Sequence, residues 1–127
     1  MEKLTFVMEN YLEAIYELSE ESKGVKMTRI AEKLGVTKAS TNSAMVTLAE
    51  KGLITNEKYK EIFLTPLGLE IAKSTSKKHH IIKDFFIKIL NIDSSIADED
   101  ACAIEHVISS HSVYAMEKFL SEHENKK

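Results

Sequence analysis

Residues 27–54, MTRIAEKLGVTKASTNSAMVTLAEKGLI, contain the pattern that predicts the fold. A short amphipathic segment, Met27–Leu34, is followed by Gly35 and then by a second helical segment of about a dozen residues that begins at Lys38. Glycine commonly ends a helix in the left-handed conformation, and Thr28 can cap the start of the first helix. Two helices joined by so tight a turn predict a helix-turn-helix.

The front of the second helix is crowded with short polar side chains. Such side chains reach base edges and phosphates without keeping a helix out of the major groove, although each of them alone is also an ordinary capping residue. The inward face is predicted to carry Ala44, Val46, Leu48 and Ala49. The candidate DNA contacts, including two lysines of the next segment, are Thr28, Thr37, Lys38, Ala39, Ser40, Thr41, Asn42, Ser43, Lys58 and Lys60.

Two short β-prone runs follow, Leu53–Thr55 and Ile62–Thr65, on either side of a polar and charged centre. This pattern predicts a hairpin, and a hairpin directly after a helix-turn-helix is a wing. Thr65 and Pro66 then begin a long helix that continues to about Asn91, with threonine as the cap and proline in the first turn.

The remaining periodic segments are also helical. Apolar residues at three- and four-residue steps predict a first helix over Leu4–Leu18, and two shorter helices roughly over Ser95–Ser109 and Ser112–His123. The last pair has more apolar surface than a small helical hairpin can cover, which favours a two-fold dimer over an ordinary monomer core. The predicted fold is therefore mainly α, with a winged helix-turn-helix DNA-binding domain (residues 1–73) and a helical dimerisation domain (residues 74–127).

The charge distribution agrees with a nucleic-acid contact in the middle of the chain. Of the 127 residues, 43% are hydrophobic and 29% charged, and the net charge is −3. Residues 23–60 carry eight bases against three acids, whereas both ends of the chain are acidic. A polyanion is attracted to the middle segment and a cation to the ends. Chance variation over a solvated surface is the alternative explanation.

Several classes of protein are excluded by features that the sequence lacks. There is one cysteine, Cys102, and no run of eighteen apolar residues, so we expect a cytoplasmic protein without disulfides or membrane contact. An H-E-x-x-H motif, a G-x-S-x-G motif and a glycine-rich phosphate loop are all absent. The chain is therefore not expected to be an enzyme.

Candidate metal ligands occur in three places. Cys102, Glu105 and His106 have i, i+3 and i+4 spacing, which puts a thiol, a carboxylate and an imidazole on one helix face and suits a divalent transition metal. Each of these residues alone is more often structural. Two further pairs have helical spacing, Asn10 with Glu13 and His80 with Asp84. His79 lies next to His80, and the one of these two histidines that faces away from the apolar stripe of Ile81, Ile82, Phe85 and Phe86 should be exposed.

The segments MENYLEAIYEL, TRIAEKLGVTKASTNSAMVTLAEKGLI, TPLG and DACAIEHVIS resemble the diphtheria toxin repressor and manganese transport regulator family of metal-activated bacterial repressors. The resemblance extends over nearly the whole chain, and its most specific parts are ENYLEAIY and the C-x-x-E-H motif. It implies a homodimer in which a winged-helix domain and a dimerisation domain hold the metal between them. An additional SH3-like domain, common in iron-type members, is not expected in a chain that ends at Lys127.

The resemblance also implies a set of metal ligands. By position, the primary site falls on Asn10, Cys102, Glu105 and His106. Other ligand positions of the family fall on Glu13, His80, Asp84 and Asp98. Cys102 matches the ligand found in the iron-sensing branch of the family. The resemblance therefore favours Fe(II) as the bound metal, with Mn(II) as the second choice.

The function that follows is a metal-dependent transcriptional repressor of iron or manganese homeostasis. By the resemblance, a divalent cation cancels the repulsion among the acidic side chains and sets the distance between the two recognition helices, so that the homodimer matches a palindromic double-stranded operator. The alternative is a winged-helix regulator that senses a small organic ligand or a partner protein, with the Cys102, Glu105 and His106 face serving only as packing.

Overall fold

The computed structural model describes residues 4–19, 24–56 and 61–125. The chain divides into two compact units, Met1–Lys73 and Ser74–Lys127. Within the described part of the chain, no helix has both the length and the apolar character that crossing a membrane requires. The mainly α fold is confirmed, since the described residues form six helices and one two-stranded sheet: α1 (Phe6–Ser19), α2 (Met27–Leu34), α3 (Lys38–Glu50), β1 (Ile54–Thr55), β2 (Phe63–Leu64), α4 (Pro66–Lys88), α5 (Ser94–Ile104) and α6 (Ser110–Asn125).

The turn between α2 and α3 is formed by backbone and side-chain caps. Gly35 has φ 65°, a left-handed conformation that glycine adopts without steric cost, and Val36 N–H donates to the Ala31 carbonyl at 3.1 Å. Thr37 begins α3, since its hydroxyl oxygen accepts from Ser40 N–H at 3.0 Å. The predicted helix-turn-helix, with Gly35 ending its first helix, is confirmed.

Two predicted side-chain positions on these helices are wrong. Val46 was expected to face inward, but it is 45% exposed, and its neighbour Met45 is fully buried instead. Thr28 was expected to cap α2, but the cap position is Lys26, which makes no side-chain cap hydrogen bond. A helix turns by about 100° per residue, so an error of one position moves a side chain from the core to the surface.

The wing packs in the first unit as an antiparallel pair in which Ile54 lies opposite Leu64. The segment before α2 adds a bridge to it, because Val25 and Ile62 exchange backbone hydrogen bonds of 2.9 and 2.8 Å. The predicted hairpin is confirmed, while the bridge was not predicted. The core of this unit contains Leu12, Ile15, Val25, Ile30, Ala44, Met45, Leu48, Leu53, Ile54 and Ile62.

The start of α4 packs against and hydrogen-bonds to the residues that follow the helix-turn-helix. Thr65 caps it as predicted, accepting from Gly68 N–H at 3.1 Å, and the Thr65 hydroxyl donates to the Gly52 carbonyl at 2.7 Å. Pro66 is the first helical residue. Gly68 is buried, and a Cβ there would collide with the Leu53 carbonyl. The close approach therefore requires glycine at this position.

The second unit contains the rest of α4 together with α5 and α6. The predicted extent of α5 is wrong, because the helix ends at Ile104 instead of continuing to Ser109. Ser109 is the cap of α6, since its hydroxyl oxygen accepts from Ser112 N–H at 3.1 Å. The buried apolar residues of this unit are Ile82, Ala97, Ala101, Val113 and Leu120.

Candidate metal centre and DNA-binding surface

The end of α5 brings predicted metal ligands close together. Cys102 lies in the last turn and is exposed, whereas Glu105 and His106 follow the helix and are only 1% and 6% exposed. The Cys102 sulfur and a Glu105 carboxylate oxygen lie within 4.8 Å of each other. Cys102 and Glu105 lie on the same side of this helix end, in agreement with the predicted spacing, and Glu105 N–H still donates to the Ala101 carbonyl at 2.9 Å.

The carboxylate of Glu105 lies between two imidazole rings. His79 Nδ1 is 3.4 Å from Glu105 Oε2, and His106 Nε2 is 3.4 Å from Glu105 Oε1. The side chains of Glu105 and His106 have no exposed surface, and that of His79 is 17% exposed. A buried carboxylate and two imidazoles therefore form one cluster, contributed by α4 and by the turn after α5.

The donor atoms of this cluster are of the kinds that bind a divalent cation, and the two imidazoles face different oxygens of the Glu105 carboxylate. Both nitrogen–oxygen distances exceed the usual hydrogen-bond length. His79 Nδ1 is buried and makes no hydrogen bond to the described residues. Imidazole nitrogen and carboxylate oxygen are ligands for Fe(II), Mn(II) and Zn(II), and Cys102 adds a softer thiolate nearby.

The other nitrogen of His79 faces Asp98 on α5. His79 Nε2 lies 2.9 Å from Asp98 Oδ1, and Lys83 Nζ lies 3.3 Å from the same oxygen. The hydrogen bond with His79, with a smaller contribution from Lys83, lowers the pKa of the Asp98 carboxyl below its usual value. Asp98 is therefore ionised, and its Oδ1 oxygen accepts from His79 Nε2 and pairs with the Lys83 ammonium.

The structure places His79 beside Glu105, whereas the sequence assigned His80 to the metal ligands and left open which of the two histidines faces the site. His80 is exposed, and so is Asp84, which pairs with Lys88 at 4.0 Å one turn further along α4. His79 precedes the fully buried Ile82 by three residues and so shares its inward face. That spacing was the signal in the sequence that distinguishes the two histidines. Lys83 was not predicted at all, because a lysine is not a metal ligand.

Asn10 and Glu13, the two remaining predicted ligands, lie one turn apart on α1 in the first unit. Glu13 is only 7% exposed and lies within the buried stretch Tyr11–Ile15, while Asn10 is partly buried. A carboxylate is seldom buried unless it is paired or binds a cation. The burial of Glu13 therefore indicates that its carboxylate is paired or binds a cation. The partial burial of Asn10 does not distinguish a ligand from an ordinary amide side chain.

The front of α3 presents most of the predicted DNA contacts to solvent. The residues of this surface and the nearby Thr28 on α2 are exposed: Thr28, Thr37, Lys38, Ala39, Ser40, Asn42 and Ser43. Thr41 is the exception, because it is fully buried and its hydroxyl donates to the Thr37 carbonyl at 2.9 Å. The expectation that Thr41 contacts DNA is corrected, since its side chain belongs to the core. The wing residues Lys58 and Lys60 lie outside the described residues.

Comparison with known families assigns both halves of the chain. Residues 3–62 match the model of the iron dependent repressor N-terminal DNA-binding domain. Residues 65–126 match the model of the iron dependent repressor metal-binding and dimerisation domain. The two matches together extend over nearly the whole chain, and their order agrees with the order of the two units.

Individual relatives agree with this assignment. The chain is 32% identical to an uncharacterised helix-turn-helix transcriptional regulator of Methanocaldococcus jannaschii, over 94% of this chain and 96% of that protein. It is 33% identical to the transcriptional regulator MntR of Bacillus pumilus, over 84% of this chain and 73% of that protein. Among solved structures, the manganese regulator SloR is 32% identical with a TM-score of 0.78; the match covers 90% of this chain but only 53% of SloR, so the chain spans about half of that protein.

These relatives are named as transcriptional regulators and not as enzymes. The resemblance predicted from the sequence is thereby confirmed. With a DNA-binding domain followed by a metal-binding and dimerisation domain, the chain belongs to the iron-dependent repressor family, which includes the diphtheria toxin repressor and the manganese transport regulators.

Proposed function

We propose that the chain is a metal-activated repressor of iron or manganese homeostasis, in which a divalent cation raises the affinity of a homodimer for a palindromic operator in the cytoplasm. The observation that carries this proposal is the buried Glu105 carboxylate, held 3.4 Å from the imidazole nitrogens of both His79 and His106. A positive ion is the simplest partner that stabilises a carboxylate and two imidazoles in one buried cluster.

The proposed ligands are His79, Glu105 and His106, with Cys102 nearby. The resemblance adds Asn10 and Glu13 of α1, and this addition rests on the sequence alone. When ligands from both units bind one ion, the units lose freedom to move relative to one another. Metal and operator then increase each other's affinity by the same factor, about 1–3 kcal/mol for typical allosteric coupling.

We propose Fe(II) as the preferred metal and Mn(II) as the next. Cys102 supplies a soft thiolate, which suits iron better than manganese, whereas the carboxylates suit both ions. SloR is named as a manganese regulator, so a direct comparison of Fe(II) with Mn(II) is the test of the proposed preference.

We expect operator binding to require metal and to reach half-saturation at a lower concentration of Fe(II) than of Mn(II). The measurement is fluorescence anisotropy of a labelled operator under anaerobic conditions, with each metal titrated separately and a chelator-treated sample as the control. Activation by Mn(II) at the lower concentration would reverse the proposed preference. Equal binding with and without metal would contradict metal activation itself.

We also propose that the exposed front of α3 recognises base edges. Asn42 and Ser43 are exposed in the first turns of this helix, and residues 23–60 have a net positive charge that attracts phosphate. An asparagine can bond an adenine edge with two hydrogen bonds, which typically discriminates between bases by about 1–3 kcal/mol.

Replacing Asn42 by Ala is expected to relax the sequence preference at one operator position while phosphate contacts keep the protein bound. The measurement is a comparison of dissociation constants over a set of single-base operator variants. Thr47→Ala, one turn further along α3, is the control, since its hydroxyl bonds the Ser43 carbonyl within the helix. If Asn42→Ala leaves the ranking of operators unchanged, base recognition lies elsewhere.

A further inference from the structure

On the side of the His79 ring that faces away from Glu105, an aspartate and a lysine form an ion pair. The proposed ligands His79, Glu105 and His106 do not account for this pair. Asp98 Oδ1 lies 2.9 Å from His79 Nε2 and 3.3 Å from Lys83 Nζ. Asp98 and Lys83 are partly exposed, with 53% and 30% of their side chains accessible, whereas the Glu105 side chain on the other side of His79 is inaccessible. The His79 ring therefore joins an outer ion pair to the inner cluster.

We propose that Asp98 is a positioning residue for His79 and that the Lys83 ammonium occupies the place where Asp98 would otherwise bind a cation of its own. This inference rests on the proposed function, because it concerns how many ions the same site takes and how tightly. The resemblance places Asp98 among the metal ligands, whereas its contacts with His79 and Lys83 indicate that it orients the ligand His79.

The first step of the argument concerns the proton on His79. In a neutral imidazole one nitrogen donates and the other accepts. A carboxylate only accepts, so the 2.9 Å contact with Asp98 requires the proton on Nε2. The lone pair is then on Nδ1, which is buried and directed at Glu105 Oε2 at 3.4 Å. Asp98 thereby selects the tautomer that can bind a metal from the inner side.

A carboxylate behind a metal-binding histidine also fixes the orientation of its ring and makes its nitrogen more basic. The backbone contributes to this arrangement, because His79 lies on α4 and Asp98 on α5. Two helices therefore hold the ring, and its rotation would break the Asp98 hydrogen bond.

The second step concerns Lys83. Its ammonium lies against the same Asp98 oxygen that accepts from His79, one helical turn further along α4. A second divalent ion at Asp98 would have to displace this ammonium or remain next to a fixed positive charge. The lysine thus neutralises Asp98 without the need for a second ion.

The test uses Co(II) as the probe on the full chain, because its visible absorption reports the number and type of ligands. Equilibrium dialysis gives the number of ions bound per chain and the affinity. Asp98→Asn is expected to lower the Co(II) affinity 10- to 100-fold, the usual effect of removing such a partner, while the absorption spectrum and the number of bound ions stay the same. Asp100→Asn, an exposed acid on the same helix, is the matched control and should change neither.

A changed Co(II) spectrum or fewer bound ions in Asp98→Asn would show that Asp98 is a ligand and overturn its positioning role. An unchanged affinity would overturn it as well. Lys83→Gln removes the positive charge that excludes a second ion from Asp98, so the number of ions bound per chain is expected to increase, and an unchanged number would overturn the role of Lys83. Circular dichroism of each variant verifies the helix content, so that a loss of folding is not mistaken for a loss of binding. If the unaltered protein binds no Co(II), the proposed function itself fails, an outcome distinct from all of these.

Discussion

Replacing Glu105 by Gln is expected to abolish the increase in operator affinity that metal produces. Glutamine has nearly the same shape, but it removes the negative charge that lies between the imidazoles of His79 and His106. The lost coupling is about 1–3 kcal/mol, which corresponds to a stimulation of roughly 5- to 150-fold. Operator anisotropy with and without metal measures the effect, and sedimentation establishes that the variant has the same oligomeric state as the unaltered protein.

Glu99→Gln is the matched control for this change, because it removes one negative charge from an exposed position of α5. We expect it to retain the full metal stimulation. If Glu105→Gln responds to metal as strongly as Glu99→Gln does, Glu105 is not part of the metal site. The comparison also separates a specific ligand from the general attraction of an acidic surface for cations.

Replacing Leu48 by Ala is expected to lower the free energy of unfolding of the DNA-binding unit by about 2–5 kcal/mol. Leu48 is fully buried in the core of that unit, where α1, α2, α3 and the wing meet. The truncation leaves a cavity in addition to the lost transfer free energy. Urea unfolding followed by circular dichroism measures the change.

Val46→Ala, on the same helix, is the control for Leu48→Ala. Its side chain is 45% exposed, so the expected change in unfolding free energy is within about 0.5 kcal/mol. An equal loss from both variants would contradict the observed face of α3 and would restore the prediction that Val46 points inward.

The local pattern of the sequence was sufficient to predict the order of the helices and strands. Gly35 closes α2, Thr65 and Pro66 begin α4, and the β-prone runs form the wing, all as predicted. These features depend on residues within a few positions of each other, since caps, turns and hairpins are local interactions. The family was predicted from segments spread over nearly the whole chain, of which ENYLEAIY and the C-x-x-E-H motif were the most specific.

Two of the predictions that failed depend on which way a side chain faces. Thr41 was expected on the DNA side and lies in the core, and Val46 was expected in the core and lies at the surface. Polar or apolar character does not determine the facing of a single residue on a helix with polar groups on several sides. Packing against neighbouring elements determines it, and that packing involves residues far apart in the chain.

The sequence by itself determined that this chain has a helix-turn-helix, a wing and a helical second half with a Cys102, Glu105 and His106 motif. Only the tertiary structure decided that the His79 ring lies against Glu105 and that Lys83 pairs with Asp98. The physical reason is distance along the chain. Periodicity describes one helix at a time, whereas the hydrogen bond between His79 and Asp98 joins residues 19 positions apart and forms only when α4 and α5 pack together.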